Sequence, residues 1–254
     1  MTPIYIPDEK DEEVRKMIRA RGFLVKQRRN LKRYILSSCR EFEIDYKSES
    51  NKKEYWTKTH IEWLTIKVNN LPYGLNRIFE ILLYELDKLS EGIKELEEQI
   101  EKEAESERYK KRKDALICFR GINTLSSMSL ITEIGDIKRF SHPKRLSSYC
   151  GLDIKEYSSG GKEKKGGITK MGNKWIRTTA IEACQNVQRA STISKRLKAA
   201  RKDQDLKVIS VADKCIKRLR KKSLGMIMSG KQINKVKVAC ARELLGFVWV
   251  EGSV

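Results

Sequence analysis

The stretch Phe79-Glu-Ile-Leu-Leu-Tyr-Glu-Leu-Asp-Lys-Leu-Ser-Glu-Gly-Ile-Lys-Glu-Leu-Glu-Glu-Gln-Ile100 decides the fold class. Its apolar residues Phe79, Leu82, Leu86, Leu89, Ile93, Leu96 and Ile100 recur at alternating spacings of three and four, which is a coiled-coil seam kept up for three heptads. Between Glu80 and Glu107 stand eleven acids and three lysines, a net charge of −8, so this rod should avoid polyanions and pair with another helix. Two partners are open. A second copy would give a homodimer through residues 79–100, the favoured expectation, and an earlier helix folded back at Pro72-Tyr-Gly74 would give an intramolecular hairpin.

Upstream, Pro7-Asp-Glu-Lys-Asp-Glu-Glu13 gathers carboxylates where a helix N-terminus favours them, and Val14, Met17 and Ile18 follow at helical spacing. From Arg15 to Arg40 there are ten Lys or Arg and no acid, Arg28, Arg29, Lys32 and Arg33 among them. Solvated helix faces usually mix signs, so a one-sign segment points to phosphate contact. Residues 41–73 are less regular, with Trp56 and Trp63 expected in a short helix, a breaker at Asn69-Asn70-Leu71-Pro72-Tyr73-Gly74, and no role assigned.

Downstream, Asp114 to Asn123 leads into Leu125, Met128, Ile131 and Thr132, predicting two helices joined by a glycine turn at Gly121-Ile-Asn123. Such a turn can offer backbone N–H groups to a phosphate, and it can equally be an ordinary corner in a core. A further helix should start near Ser141-His-Pro143, with Ser141 capping and Leu146, Tyr149 and Cys150 facing inward. Residues 152–168 are expected to form a β-hairpin or ordered loop. Asn173 should cap the next helix, whose buried stripe is Ile176, Ala180, Ala183 and Val187. Arg189 to Lys222 holds thirteen basic and three acidic residues, and a last helix should bury Val238, Ala241, Leu245 and Val248, with Trp249 closing the core. The fold class is thus mainly α. The expected domains are a basic helical segment at 1–73, a coiled coil at 74–112 and a compact helical domain at 113–254.

Composition sets the partner class. Fifty-four Lys and Arg against 34 Asp and Glu give a net charge of +20, which points to nucleic acid ahead of small-molecule substrates. The six cysteines form no C-x-x-C pair and have only His60 and His142 to join them, so neither a zinc site nor a disulfide framework is expected. No apolar run approaches a membrane span and no signal peptide is recognisable, which predicts a cytoplasmic, nucleoid-associated chain without a membrane partner.

The chemistry-bearing segment is Glu156-Tyr-Ser-Ser-Gly-Gly-Lys162, followed by Lys164 to Asn173. Paired serines, Ser158 and Ser159, stand among glycines that let a backbone approach a polyanion, with Lys162, Lys164, Lys165, Lys170, Lys174 and Arg177 to neutralise it. By local chemistry alone such a run is more often a solvated turn than a nucleophile.

Taken together, Gly121-Ile-Asn123, Leu130 to Phe140, Leu146 to Leu152, Ser159-Gly160, Ile168 to Asn173 and Lys237 to Trp249 resemble the C-terminal domain of the DEDD insertion-sequence transposases. That family includes Piv-type DNA invertases and bridge-RNA-guided recombinases. The resemblance implies an N-terminal RuvC-like domain holding Mg2+ through three aspartates and a glutamate, a coiled coil, and a C-terminal domain with a catalytic serine. Ser159, with Ser158 as the fallback, would attack a DNA phosphodiester to give a phosphoserine. DNA, a guide RNA and a synaptic oligomer above the dimer are the implied partners. Two departures stand out. The residues from Thr2 to Pro7 match the stretch just after the last metal-binding acids, so the chain is expected to lack the RuvC-like domain and to be inactive alone. The glycine turn has Asn123 where the family often has a second glycine, and Asn tolerates the left-handed conformation. A non-enzymatic dimeric DNA- or RNA-binding protein is the alternative. An adaptor acting only through its acidic coiled coil leaves the basic segments unexplained.

Overall fold

The computed structural model describes residues 5–50, 54–156, 165–188 and 192–253. It is mainly helical, and by its internal packing the chain divides into two units, Met17–Gln99 and Met1–Lys16 with Ile100–Val254.

The first unit is built from α1 (Glu9–Glu41), α2 (Tyr46–Ser50), α3 (Lys58–Asn69) and α4 (Tyr73–Ala104), taking α1 from Met17 and α4 as far as Gln99. Phe79 and Leu86 of the heptad seam lie in one buried cluster with Ile35 and Cys39 of α1 and Leu64 and Val68 of α3. Farther along, Gly92 lies against Leu24, and the Arg21 guanidinium donates to Glu97 at 2.8 Å. Within the chain these seam residues pack against α1 and α3, and α1 brings a cation to the acidic rod at Arg21. Trp63 lies on α3 as expected. Trp56 does not: it precedes the N-cap Thr57 with a φ of +68°.

The second unit contains α5 (Glu107–Ile117), α6 (Thr124–Ile134), a 3-10 turn at Ile137–Arg139, α7 (Pro143–Tyr149), β1 (Ile154–Glu156), β2 (Lys165–Ile168), α8 (Lys174–Ala183), α9 (Lys195–Ala200), α10 (Leu206–Met228) and α11 (Ile233–Ser253). α6 is its centre. Every residue from Ser127 to Ile134 is buried, between α5 on one side and α8 on the other, and each Leu or Ile so placed contributes about 1.5–3 kcal/mol. α11 packs on α7, α8 and α10, with Ala241, Leu245 and Val248 buried, while Val238 is only half-buried and Val236 faces inward in its place. Trp249 donates its indole N–H to the Phe140 carbonyl at 2.7 Å.

Local chemistry corrects one cap and one side-chain placement. His142, not Ser141, caps α7, its Nδ1 accepting from the Lys144 N–H, and Pro143 takes the first turn. Tyr149 is partly exposed, its ring beneath the Arg139 guanidinium, because Leu146 and Cys150 already fill the inward face. Asn123 is extended rather than left-handed, with φ −120°. It closes a capping box with Ser126.

The first turns of α1 enter the second unit through polar contacts. Asp11 accepts from the Tyr109 hydroxyl at 2.7 Å and from Arg108 at 3.0 Å, and Arg15 is buried with its guanidinium on the Thr132 carbonyl. Arg15 and Arg21 are thus structural cations in a helix read as phosphate-facing along its length. Burial pushes the Asp11 carboxyl up, but the hydrogen bonds of Arg108 and Tyr109 outweigh it and hold it below its ordinary value. A depressed carboxylate contributes its stability above its unfolded pKa, near 4, and loses it as the pH falls. Asp11→Asn is expected to cost about 2 kcal/mol at neutral pH and distinctly less in acid. Urea midpoints of both proteins at about pH 7 and about pH 3 check this.

All six cysteines are buried free thiols. Burial pushes them upward, Cys39 and Cys240 to about 11 and Cys150 to about 12. Among the described residues no helix is long and apolar enough to cross a membrane.

Candidate active site

Ser158, Ser159, Lys162 and Lys164 lie outside the described residues. The strands on either side of them pair antiparallel, Ile154 opposite Ile168 and Glu156 opposite Lys165, with an irregularity in register between. The expected β-hairpin is therefore present, and the serines stand in sequence between its strands.

Below the strands the two legs remain laced. Thr169 donates its N–H to the Asp153 carbonyl at 2.8 Å, Lys170 to Gly151 at 3.0 Å, and Asn173 to Tyr149 at 2.8 Å. The legs approach so closely that a Cβ on Gly172 would lie 2.2 Å from the Tyr149 oxygen. This base is anchored to the core from three sides. Arg177 donates to the Cys150 carbonyl at 2.6 Å, Leu152 is fully buried, and Asn173 donates its amide to the Glu133 carboxylate at 2.7 Å while its oxygen caps α8 at Trp175 and Ile176. Glu133 is itself 2% exposed and lies 3.9 Å from the Arg15 guanidinium. One buried carboxylate thus joins α1, α6 and the start of α8, a tie that spacing alone did not reveal.

The remaining candidates separate by place. Lys170 and Lys174 are exposed at the foot of the hairpin, and Lys170 adopts a φ of +57°. Arg177 is half-buried and committed to the base. Lys165 belongs to β2. The close approach that Gly121 permits is to protein: its φ is +87°, and a Cβ there would sit 2.0 Å from the Ala183 carbonyl oxygen at the end of α8. Asn123 spends its side chain on the cap of α6. In the first unit Arg29 and Arg33 are exposed, and Arg28 and Lys32 are half-buried. On α10, Lys214, Lys217 and Lys221 are exposed at helical spacing opposite the buried stripe Ala212, Cys215 and Leu219.

This hairpin-bearing helical region, α5 through α9, coincides with a match to the family described as Transposase IS116/IS110/IS902, over residues 114–199. Residues 114–199 are thus similar to the transposases of that family. A protein of Sinorhizobium fredii named as a transposase is 28% identical over 249 residues, 98% of this chain and 59% of its own length. The transposase for insertion sequence element IS1533 of Leptospira borgpetersenii is 30% identical over 241 residues, 90% of this chain and 65% of its own. The transposase for insertion sequence element IS1111A of Coxiella burnetii is 26% identical over 178 residues, 70% of this chain and 47% of its own. The chain thus spans about half to two thirds of the length of these relatives. Within residues 114–199 the stretches that carry the resemblance have visible work: Gly121 seats α6 against α8, Leu130 to Phe140 holds Glu133, and Leu146 to Leu152 with Ile168 to Asn173 builds the hairpin base.

Proposed function

We propose that the chain is the serine-bearing part of an insertion-sequence transposase, exchanging DNA strands through a phosphoserine formed on Ser159, with Ser158 next in line. The observation that supports this reading is the laced hairpin, whose paired strands flank the serine segment in sequence and whose base is tied to the core at Glu133, Arg177 and Leu152. In the step assigned to Ser159, its hydroxyl oxygen bonds to phosphorus as the bond to the 3′ oxygen breaks. The serine gives up its proton, and the leaving 3′ oxygen takes one up. Reversal on a new partner strand restores the diester, so the bond energy is conserved and no external energy source is needed. Lys170 and Lys174 at the foot of the hairpin, and Lys214, Lys217 and Lys221 on α10, suit the polyanionic substrate.

Among the described residues no group of three or more His, Cys, Asp or Glu could hold a metal ion. In this reading magnesium is held by the acids of a RuvC-like part, which strand exchange requires. A guide RNA and a synaptic oligomer belong to the same reading through the family resemblance.

The test is denaturing gel analysis of the protein with its element-end DNA and magnesium, with and without a separately supplied RuvC-like part. A covalent DNA adduct formed only with that part, and abolished by Ser159→Ala, is the expected result. DNA binding without an adduct in either condition would leave a nucleic-acid-binding protein as the better description.

A further inference from the structure

The segment between α1 and α4 encloses a cavity of about 350 Å³, walled by Tyr46, Tyr55, His60 and Trp63 and rimmed by Arg40, Glu43, Asp45 and Lys47. The rings form a continuous cluster. Tyr46 is 4.6 Å from His60 and 5.0 Å from Trp63 between centroids, and Tyr55 is 5.2 Å from His60. His60 is fixed from behind, its Nδ1 accepting the Trp56 backbone N–H at 3.1 Å.

Three lysines lie over rings of this region: Lys32 on Trp56 at 5.0 Å, Lys47 on Tyr55 at 4.8 Å and Lys67 on Trp63 at 5.8 Å. Glu43 and Trp56, at φ +57° and +68°, hold a backbone conformation that side chains rarely adopt, and both border the cavity or its wall. Strain of this kind persists where the surroundings impose it, and it clusters at ligand sites.

We infer that this cavity receives one unpaired nucleobase, carried by a strand whose phosphates follow the cations of α1. The inference rests on the reading that the chain handles nucleic acid and is independent of the serine chemistry. Aromatic walls stack a flat heterocycle whatever its identity, and a cationic approach tracks its backbone. Here Arg40 belongs both to the cavity rim and to the basic helix that carries Arg29 and Arg33. Glu43 and Asp45 supply acceptors for exocyclic amino groups, and Arg40 supplies donors for carbonyl oxygens. A base still in a duplex has that edge occupied, so the site selects single-stranded or extruded nucleotides.

The experiment uses the full chain and a single-stranded oligonucleotide substituted with iodouracil, as DNA and as RNA, with a duplex of the same sequence alongside. Photocrosslinking is expected at Tyr55 or Trp63. Tyr55→Ala, with its fold checked by circular dichroism, is expected to weaken single-strand binding about tenfold and leave duplex binding within about twofold, while Tyr55→Phe retains the affinity. Whichever strand crosslinks identifies the nucleic acid. Crosslinks confined to other residues, or equal effects of Tyr55→Ala on single strand and duplex, would overturn the assignment. No serine adduct from the unsubstituted chain even with the RuvC-like part supplied, alongside an intact Tyr55 crosslink, would refute the catalytic reading alone.

Discussion

Gly121→Ala is expected to destabilise the second unit by about 4 kcal/mol and to lower its melting temperature by about 10 °C. Two costs combine. A side chain at φ +87° is strained whatever space surrounds it, and this one would also drive into the Ala183 carbonyl at 2.0 Å. Ala183 is backbone at the end of a buried helix, so relief requires α8 to shift away from the α5–α6 turn. Gly225→Ala is the internal control. Gly225 lies inside α10 with nothing within 4 Å of an added Cβ, and alanine there should stabilise by about 0.5–1 kcal/mol. Thermal melts of the two variants with opposite signs confirm the account. Equal, small effects would refute it.

Asn173→Asp is expected to cost about 3 kcal/mol at neutral pH and much less in mild acid. Aspartate caps a helix as well as asparagine does, so the bonds to Trp175 and Ile176 survive. What changes is the contact with Glu133, where an amide donating at 2.7 Å becomes a second carboxylate beside a buried one. Two carboxylates at that separation repel unless a proton lies between them. The stability of the contact is then present at low pH and lost as the pH rises. Asn173→Ala removes both the cap and the donor, and its penalty should vary far less with pH. Melting curves of the three proteins from about pH 5 to about pH 8 separate the cases, and a pH-independent loss in the aspartate variant would overturn the assignment.

These two sites also mark how far the sequence carries. The cap at Asn173 was legible because capping is local: a short polar side chain ahead of an apolar stripe has one good use. Its second bond, to Glu133, spans forty residues, and no local signal encodes it. The heptads from Phe79 to Ile100 announced a covered seam but not its cover, since spacing describes one surface only. α1 was read as phosphate-facing because its cations outnumber its acids, yet Arg15 and Arg21 answer carboxylates and carbonyls from far along the chain. The aromatic cavity likewise has no local signal. Tyr46, Tyr55 and His60 converge only when α1 and α3 meet beside a short irregular segment.

The placement of the six thiols gives the molecule a clock. Cys39 lies in the unit Met17–Gln99, and Cys118, Cys150, Cys184, Cys215 and Cys240 lie in the other. Buried and held in their protonated form, they meet an alkylating reagent only when their surroundings open. The rate at which Cys39 is modified therefore times excursions of one unit, and the other five time excursions of its neighbour. Unmodified wild-type protein, a thiol reagent and a mass spectrometer suffice to ask whether the two units breathe together or apart.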